Sequence, residues 1–221
     1  MRQQCPVIEG DQIGDRLAEL GLKAEILDFA LRGADAEARS YTALDPPNMA
    51  GMARFARTVR LLREQLVPLG WTFDNPRNLA RTVSPDARVA IITTLGDAAT
   101  GVPHVPPSTR YEKGIATVEA VNRNFLQLTL PIEIEDFVSG DDDGDGETTT
   151  WVLLYNVTET EIRAELSLPD SMVDGFIDTW LERIILPSVP LQPSVPVHPS
   201  VGVPAPRPAA DPLVAVTRRT A

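Results

Sequence analysis

The stretch Trp151-Val152-Leu153-Leu154-Tyr155-Asn156-Val157-Thr158-Glu159-Thr160-Glu161-Ile162-Arg163-Ala164-Glu165-Leu166-Ser167-Leu168 decides the fold class. Ile162, Ala164, Leu166 and Leu168 alternate with Arg163, Glu165 and Ser167, which is the two-residue period of a strand with unlike faces. The run Trp151–Tyr155 reads the same way, and residues 158–160 form a short turn between the two. Such neighbours assemble most simply as an antiparallel meander. Ile132-Glu133-Ile134-Glu135 adds another alternating run, joined to Trp151 through a longer loop at 139–150.

Upstream the period changes. Residues 11–39 read as two short helices, with Ile13, Leu17 and Leu20 before a break at Gly21, then Ile26, Phe29 and Ala30 before a C-cap at Gly33. A longer helix follows, with Asp45 as N-cap and Pro46 in its first position. Its apolar stripe is Met49, Met52, Phe55, Val59, Leu62 and Leu66, spaced for a core to cover. Arg54, Arg57, Arg60 and Arg63 spiral around that helix; Arg54 and Arg57 fall opposite the stripe. Val89–Thr94 is a β-branched run that reads as a buried strand. Residues 115–123 read as a helix with Ile115, Val118 and Val121 on one side, and Phe176, Trp180 and Ile184 suggest another over 176–186. The expected architecture is therefore α+β. Helices within 11–67 pack on a mostly antiparallel sheet built from 89–168, in a single domain spanning 1–186.

Residues 187–221 form a tail outside the folded core. Pro187, Pro190, Pro193, Pro196 and Pro199 recur every third residue. Polyproline II has three residues per turn, so these prolines share one face. That face suits a protein partner with an aromatic-lined groove, or a semi-rigid or disordered spacer.

The 221-residue chain carries a net charge of −11, with 43% apolar and 5% aromatic residues. The tail holds Arg207, Arg218 and Arg219 against Asp211, so it contributes +2 and leaves the domain at −13, the difference between −11 and +2. That field disfavours nucleic acid. Within it, residues 41–88 hold seven arginines against four acids, a basic island centred on 54–81. Cys5 is the only cysteine, which excludes an internal disulfide and a cysteine metal cluster. It reads as a free thiol in a frayed N-terminus. No signal peptide and no membrane-length apolar run is seen, so the expectation is a cytoplasmic protein without membrane contact.

Chemistry concentrates in residues 95–114, a long Gly/Pro/Thr-rich loop after the Val89 strand. Backbone N–H groups near Gly96 and Gly101, with Thr100, Thr109, Arg110 and Lys113, are candidate anion donors. Asp97 is a candidate metal holder or proton acceptor, and His104 a candidate general base. The loop has neither a Walker A nor a Rossmann pattern. Pro85-Asp86 with the adjacent Glu112-Lys113 fails the nuclease spacing. Asp141, Asp143, Asp145 and Gly146 match the start of a calcium loop, but Val152 stands where the closing glutamate belongs. Acidic Glu19, Glu25 and Asp28 argue against a DNA-reading helix-turn-helix in 11–39.

Leu44-Asp45-Pro46-Pro47, Gly96-Asp97-x-x-Thr100-Gly101 with Thr109-x-x-x-Lys113-Gly114, and Glu165-Leu166-Ser167-Leu168-Pro169 with Trp180-x-Glu182-Arg183-Ile184 together resemble a family of uncharacterised bacterial proteins. The resemblance implies a bacterial source, in an accessory or mobile gene, and carries over no catalytic residue. A binding or interaction protein is the favoured reading, with the 95–114 loop and the basic island at 54–81 as its working surface. The competing one is an enzyme on a phosphorylated or nucleotide-like ligand held by the 95–114 loop. An enzyme should gather Asp97, Lys113 and His104 in one pocket, whereas an interaction module should point those side chains apart with an exposed apolar patch nearby.

Overall fold

A computed structural model describes residues 5–129 and 148–191, with side chains placed through Asn124 in the first span. The Ile132–Glu135 run, the Asp141–Gly146 loop and residues 192–221 lie outside the described residues. The elements run β1 (Val7–Ile8), α1 (Gln12–Glu19), α2 (Ala24–Ala38), α3 (Met49–Leu66), β2 (Thr72–Asp74), β3 (Arg81–Val83), β4 (Val89–Leu95), α4 (Ile115–Thr129), β5 (Thr149–Val157), β6 (Glu161–Val173), β7 (Phe176–Ile185) and β8 (Val189–Pro190). This is the expected α+β class.

One sheet carries the fold, in the order β1-β7-β6-β5-β4-β3-β2, with β8 paired to the start of β6. The meander β5-β6-β7 is antiparallel, as are β2-β3-β4. The parallel pairs are β4 with β5 and β1 with β7. A parallel neighbour needs a crossover, and α4 lies in the connection from β4 to β5.

Both faces of the sheet centre are covered, which explains the unbroken apolar run of β5. Ile91, Trp151, Leu153 and Tyr155 point into the core shared with α1, α2 and α3. Ile92, Val152 and Leu154 point the other way and pack with Val121 of α4, Ile177 and Trp180. At the start of β5, before β6 begins to pair, Asn124 of α4 acts as a substitute strand. Its amide donates to the Thr150 carbonyl at 2.8 Å, and its side-chain oxygen accepts from the Thr150 N–H at 2.7 Å. Both groups are buried, so each needs its partner.

Several expectations need correction. Residues 176–185 are a strand, not a helix. The four-residue spacing marks no single strand face, since a register shift puts Trp180 on the α4 side and Ile184 in the helix-side core, and Asp174-Gly175 settles the matter. Both residues have positive φ (49° and 81°), the geometry of a tight two-residue hairpin turn onto β6. Helix α3 begins at Met49, not at Pro46. Asp45 instead accepts the Thr42 N–H at 2.8 Å in a turn before it. Gly33 lies inside α2 and is no C-cap; its missing Cβ leaves room for Leu61 of α3. Phe29 is half-exposed. Cys5 is not frayed: it is half-buried against the Ile92 cluster, and burial raises its thiol pKa. The next residue, Pro6, accepts the Arg183 N–H at 3.0 Å. The fold also continues past Leu186, since Val189 is buried in the helix-side core and the Leu191 N–H donates to Thr160 at 2.7 Å.

The largest departure concerns α3. Its buried residues are Thr58, Leu62 and Leu66. The expected stripe residues Met52 and Phe55 face out. The side opposite them is held to α2 by ion pairs: Arg54 to Asp35 at 2.9 Å, and Arg57 to Glu37. Asp35 is itself buried and also takes Arg39 at 2.6 Å. Buried carboxylates require such partners. Ion pairing to α2 thus turns the charged side of α3 inward and leaves the N-terminal half of its apolar row uncovered.

Candidate functional site

The 95–114 loop is a folded plate on the α4 side of the sheet. Gly96 bridges to Thr109, and the Asp97 N–H donates to the Ser108 carbonyl at 2.9 Å. The Asp97 carboxylate caps the following turn by accepting the Ala99 N–H at 3.0 Å. Thr109 exchanges hydrogen bonds with Ile177 of β7, donating its N–H to the carbonyl at 3.0 Å and accepting the N–H at its hydroxyl at 3.2 Å. Trp180 Nε1 donates to the Pro107 carbonyl at 2.9 Å.

Underneath lies a buried ion pair. Arg183 of β7 is 3% exposed and Glu165 of β6 is 0% exposed. The guanidinium donates through Nε and Nη2 to the two Glu165 oxygens at 3.0 and 2.6 Å. Its other donations go to three loop carbonyls: Val102 at 3.1 Å, Pro103 at 3.3 Å and Val105 at 3.1 Å. Glu165 completes its set by accepting the Gly101 N–H at 2.9 Å and the Ser167 hydroxyl at 2.9 Å. All five guanidinium N–H directions thus have acceptors, the condition under which a buried pair is tolerated. Gly101 has φ of 72°, and a Cβ there would press on Arg163 and the Ala164 backbone.

These contacts place the candidate residues. The Gly96 N–H donates to Tyr155, that of Thr100 to Asp97, that of Gly101 to Glu165, that of Arg110 to Leu95 and that of Lys113 to Gly175. Thr100 and Thr109 are buried. The Arg110 side chain is exposed, with its guanidinium 5.8 Å from the Tyr111 ring. The Lys113 ammonium donates to Thr94 at 2.8 Å, and burial lowers its pKa. His104 is exposed. Asp97, His104 and Lys113 share no hydrogen bond. The pair that organises the loop, Glu165 with Arg183, was not singled out as a site in the sequence. Its signal is faint: Glu165 stands among the alternating polar residues Arg163 and Ser167, and Arg183 follows Glu182, so neither looks unlike a solvated strand face.

The basic island is mostly neutralised by ion pairs, some within it and some to α2 and α4. Arg60 pairs with Glu64 at 2.6 Å, Arg77 with Glu119 at 2.5 Å and Arg81 with Asp74 at 2.5 Å. Arg63 donates to Asn75 Oδ1 at 2.9 Å and to the carbonyls of Asp74 and Arg81 at 3.1 and 3.0 Å. Its guanidinium also covers the Phe73 ring at 4.6 Å, a cation–π contact. Between α3 and β2 runs a groove of about 480 Å³, lined mainly by Val59, Arg60, Arg63, Glu64, Val67 and Phe73. Its apolar side chains Val67 and Phe73 are 42% and 53% exposed, and Met52, Phe55 and Leu69 are exposed elsewhere on α3 and in the turn after it.

Among the described residues no cluster of three or more His, Cys, Asp or Glu could hold a metal ion, and no described helix is long and apolar enough to cross a membrane. Comparison with protein-family models, curated proteins and solved structures finds no match to this chain.

Proposed function

We propose that this chain is a protein-interaction module acting through the α3–β2 face. The observation that carries the reading is the exposure of Val67 and Phe73 in one groove, with Met52 and Phe55 exposed farther along the same helix. Large apolar side chains gathered in one region cost solubility, and proteins keep them where something docks. Arg63 adds a stacked guanidinium at the groove wall, and aromatic and arginine side chains are enriched at the centres of interfaces. The 95–114 loop supports this face less than it supports the fold. Its N–H donors at the candidate positions point to protein acceptors, and Asp97 and Lys113 are each engaged in a separate local contact.

Site-specific photo-crosslinking in the native cell tests the reading. A crosslinker at position 52, 55 or 73 of the full chain should trap a protein, and one at 104 or 110 should not. Adducts confined to 104 and 110, or none at any position, would overturn it.

A further inference from the structure

The groove has an occupant available in the same molecule. We infer that the chain's own segment Pro199–Pro208 seats in the α3–β2 groove; this rests on reading that face as a docking surface.

The first ground is where the described chain leaves the fold. Val189 is buried in the core on the α1–α3 side of the sheet, and Leu191 packs against that core. Thirty residues, 192–221, follow. The exit therefore lies on the face of the sheet that carries α3.

The second ground is reach. From β8 to β2 the sheet order crosses five strand spacings, about 24 Å at ~4.8 Å each, with a helix layer ~10 Å above the sheet. An extended proline-rich chain advances ~3.1 Å per residue. At that rise the chain can reach about 25 Å from Leu191 by Pro199 and about 53 Å by Pro208, which brackets the distance to the groove and leaves slack to pass over the helices.

The third ground is chemistry. The segment Pro-Ser-Val-Gly-Val-Pro-Ala-Pro-Arg-Pro is apolar apart from one serine and one arginine. Proline carries no N–H, so four of its ten residues bring no backbone donor that must be satisfied on docking. Proline-rich segments bind on aromatic surfaces because little ordering entropy remains to be lost. Phe73 with Arg63 over its ring offers such a surface, flanked by Val59 and Val67. Arg207 is the one charge in the segment, and the groove wall holds Arg60 and Arg63 against Glu64, so apolar contact and not charge carries the docking. Docking in this manner would make the tail a competitor for any separate partner of the same face.

Paramagnetic broadening in the full chain tests this. A nitroxide is placed at Ala205→Cys in a Cys5→Ser background, and amide signals are read at two protein concentrations tenfold apart. The expected result is at least a twofold intensity loss at Val59, Val67 and Phe73, equal at both concentrations and abolished by Pro204→Ser/Pro206→Ser/Arg207→Glu. No broadening at these residues overturns the proposal, as does broadening spread evenly over the domain. Broadening that grows with concentration overturns it too, since it assigns the groove to a second copy. A partner crosslinked at position 73 with no broadening would leave the interaction reading standing and this inference refuted. Broadening with no partner crosslinked anywhere would do the reverse.

Discussion

Glu165 and Arg183 each occupy a position where an isolated charge would be intolerable. Removing one partner leaves the other buried and unpaired, which typically costs about 3–5 kcal/mol. Arg183→Met should therefore lower the urea unfolding free energy by about that amount. It also strips donors from three loop carbonyls. The 95–114 loop should then open to trypsin at Arg110 and Lys113 while β5 and β6 stay protected. Unchanged cleavage in a destabilised variant would refute this role in anchoring the loop. Two glycines separate by the same logic of surroundings. A Cβ at Gly96 would run into the Thr100 hydroxyl and Leu154, both fixed in the core, so Gly96→Ala should cost about 1–3 kcal/mol from overpacking. A Cβ at Gly33 meets the movable end of Leu61, and the helix gains about 1 kcal/mol in propensity. Gly33→Ala should then fall within about 1 kcal/mol of the parent in thermal unfolding. Tyr155 supplies a pH dependence. Burial pushes its phenol up to about 12 from the ordinary 10, against the opposing pull of Arg54 and Thr58. The raised value means stability that is fully present below pH 10 and is lost as pH climbs towards 12. Tyr155→Phe should flatten that loss, a difference on the order of 2 kcal/mol at pH 12. Lys113, whose pKa is lowered, changes stability in the opposite sense. Only the difference between variant and parent isolates the tyrosine.

At the scale of elements, α3 carries the lesson. Its apolar residues recur at helical spacing, and a helix does form there. The spacing gave no sign that the Arg54 and Arg57 side would be drawn to Asp35 and Glu37 on α2. Met52→Glu and Phe55→Glu test the resulting exposure directly. Each should change the unfolding free energy by no more than about 0.5 kcal/mol, as surface substitutions do, whereas Leu62→Ala should cost about 2–5 kcal/mol. Comparable losses at positions 52 and 62 would mean that the apolar row is covered after all. Strand β7 makes a related point: the spacing of Phe176, Trp180 and Ile184 mimics a helix, but an Asp-Gly turn with β6 beside it decided for a strand whose register shift splits Trp180 and Ile184 between faces.

At the scale of the molecule, the boundary between domain and tail has an energetic meaning. Val189 is 2% exposed, and β8 pairs with Glu161 and Ile162 of β6. Ending the chain after Leu186 removes these contacts, and burying one valine stabilises by about 1.5–3 kcal/mol. A chain ending at 186 should unfold at lower urea than one ending at 191. Equal midpoints would place β8 outside the cooperative fold.

What the sequence determined by itself is local. Periodicity identified helices within 11–67, the meander at 151–168, the α4 segment and the proline repeat of the tail, because each signal lies within a few residues of chain. The tertiary structure decided which side of each element is covered. Asp35 orients α3, Arg183 reaches back about eighty residues to hold the 95–114 loop, and Asn124 completes the end of β5. These choices depend on buried polar groups finding partners far away in sequence, and burial is a property that no single segment possesses alone.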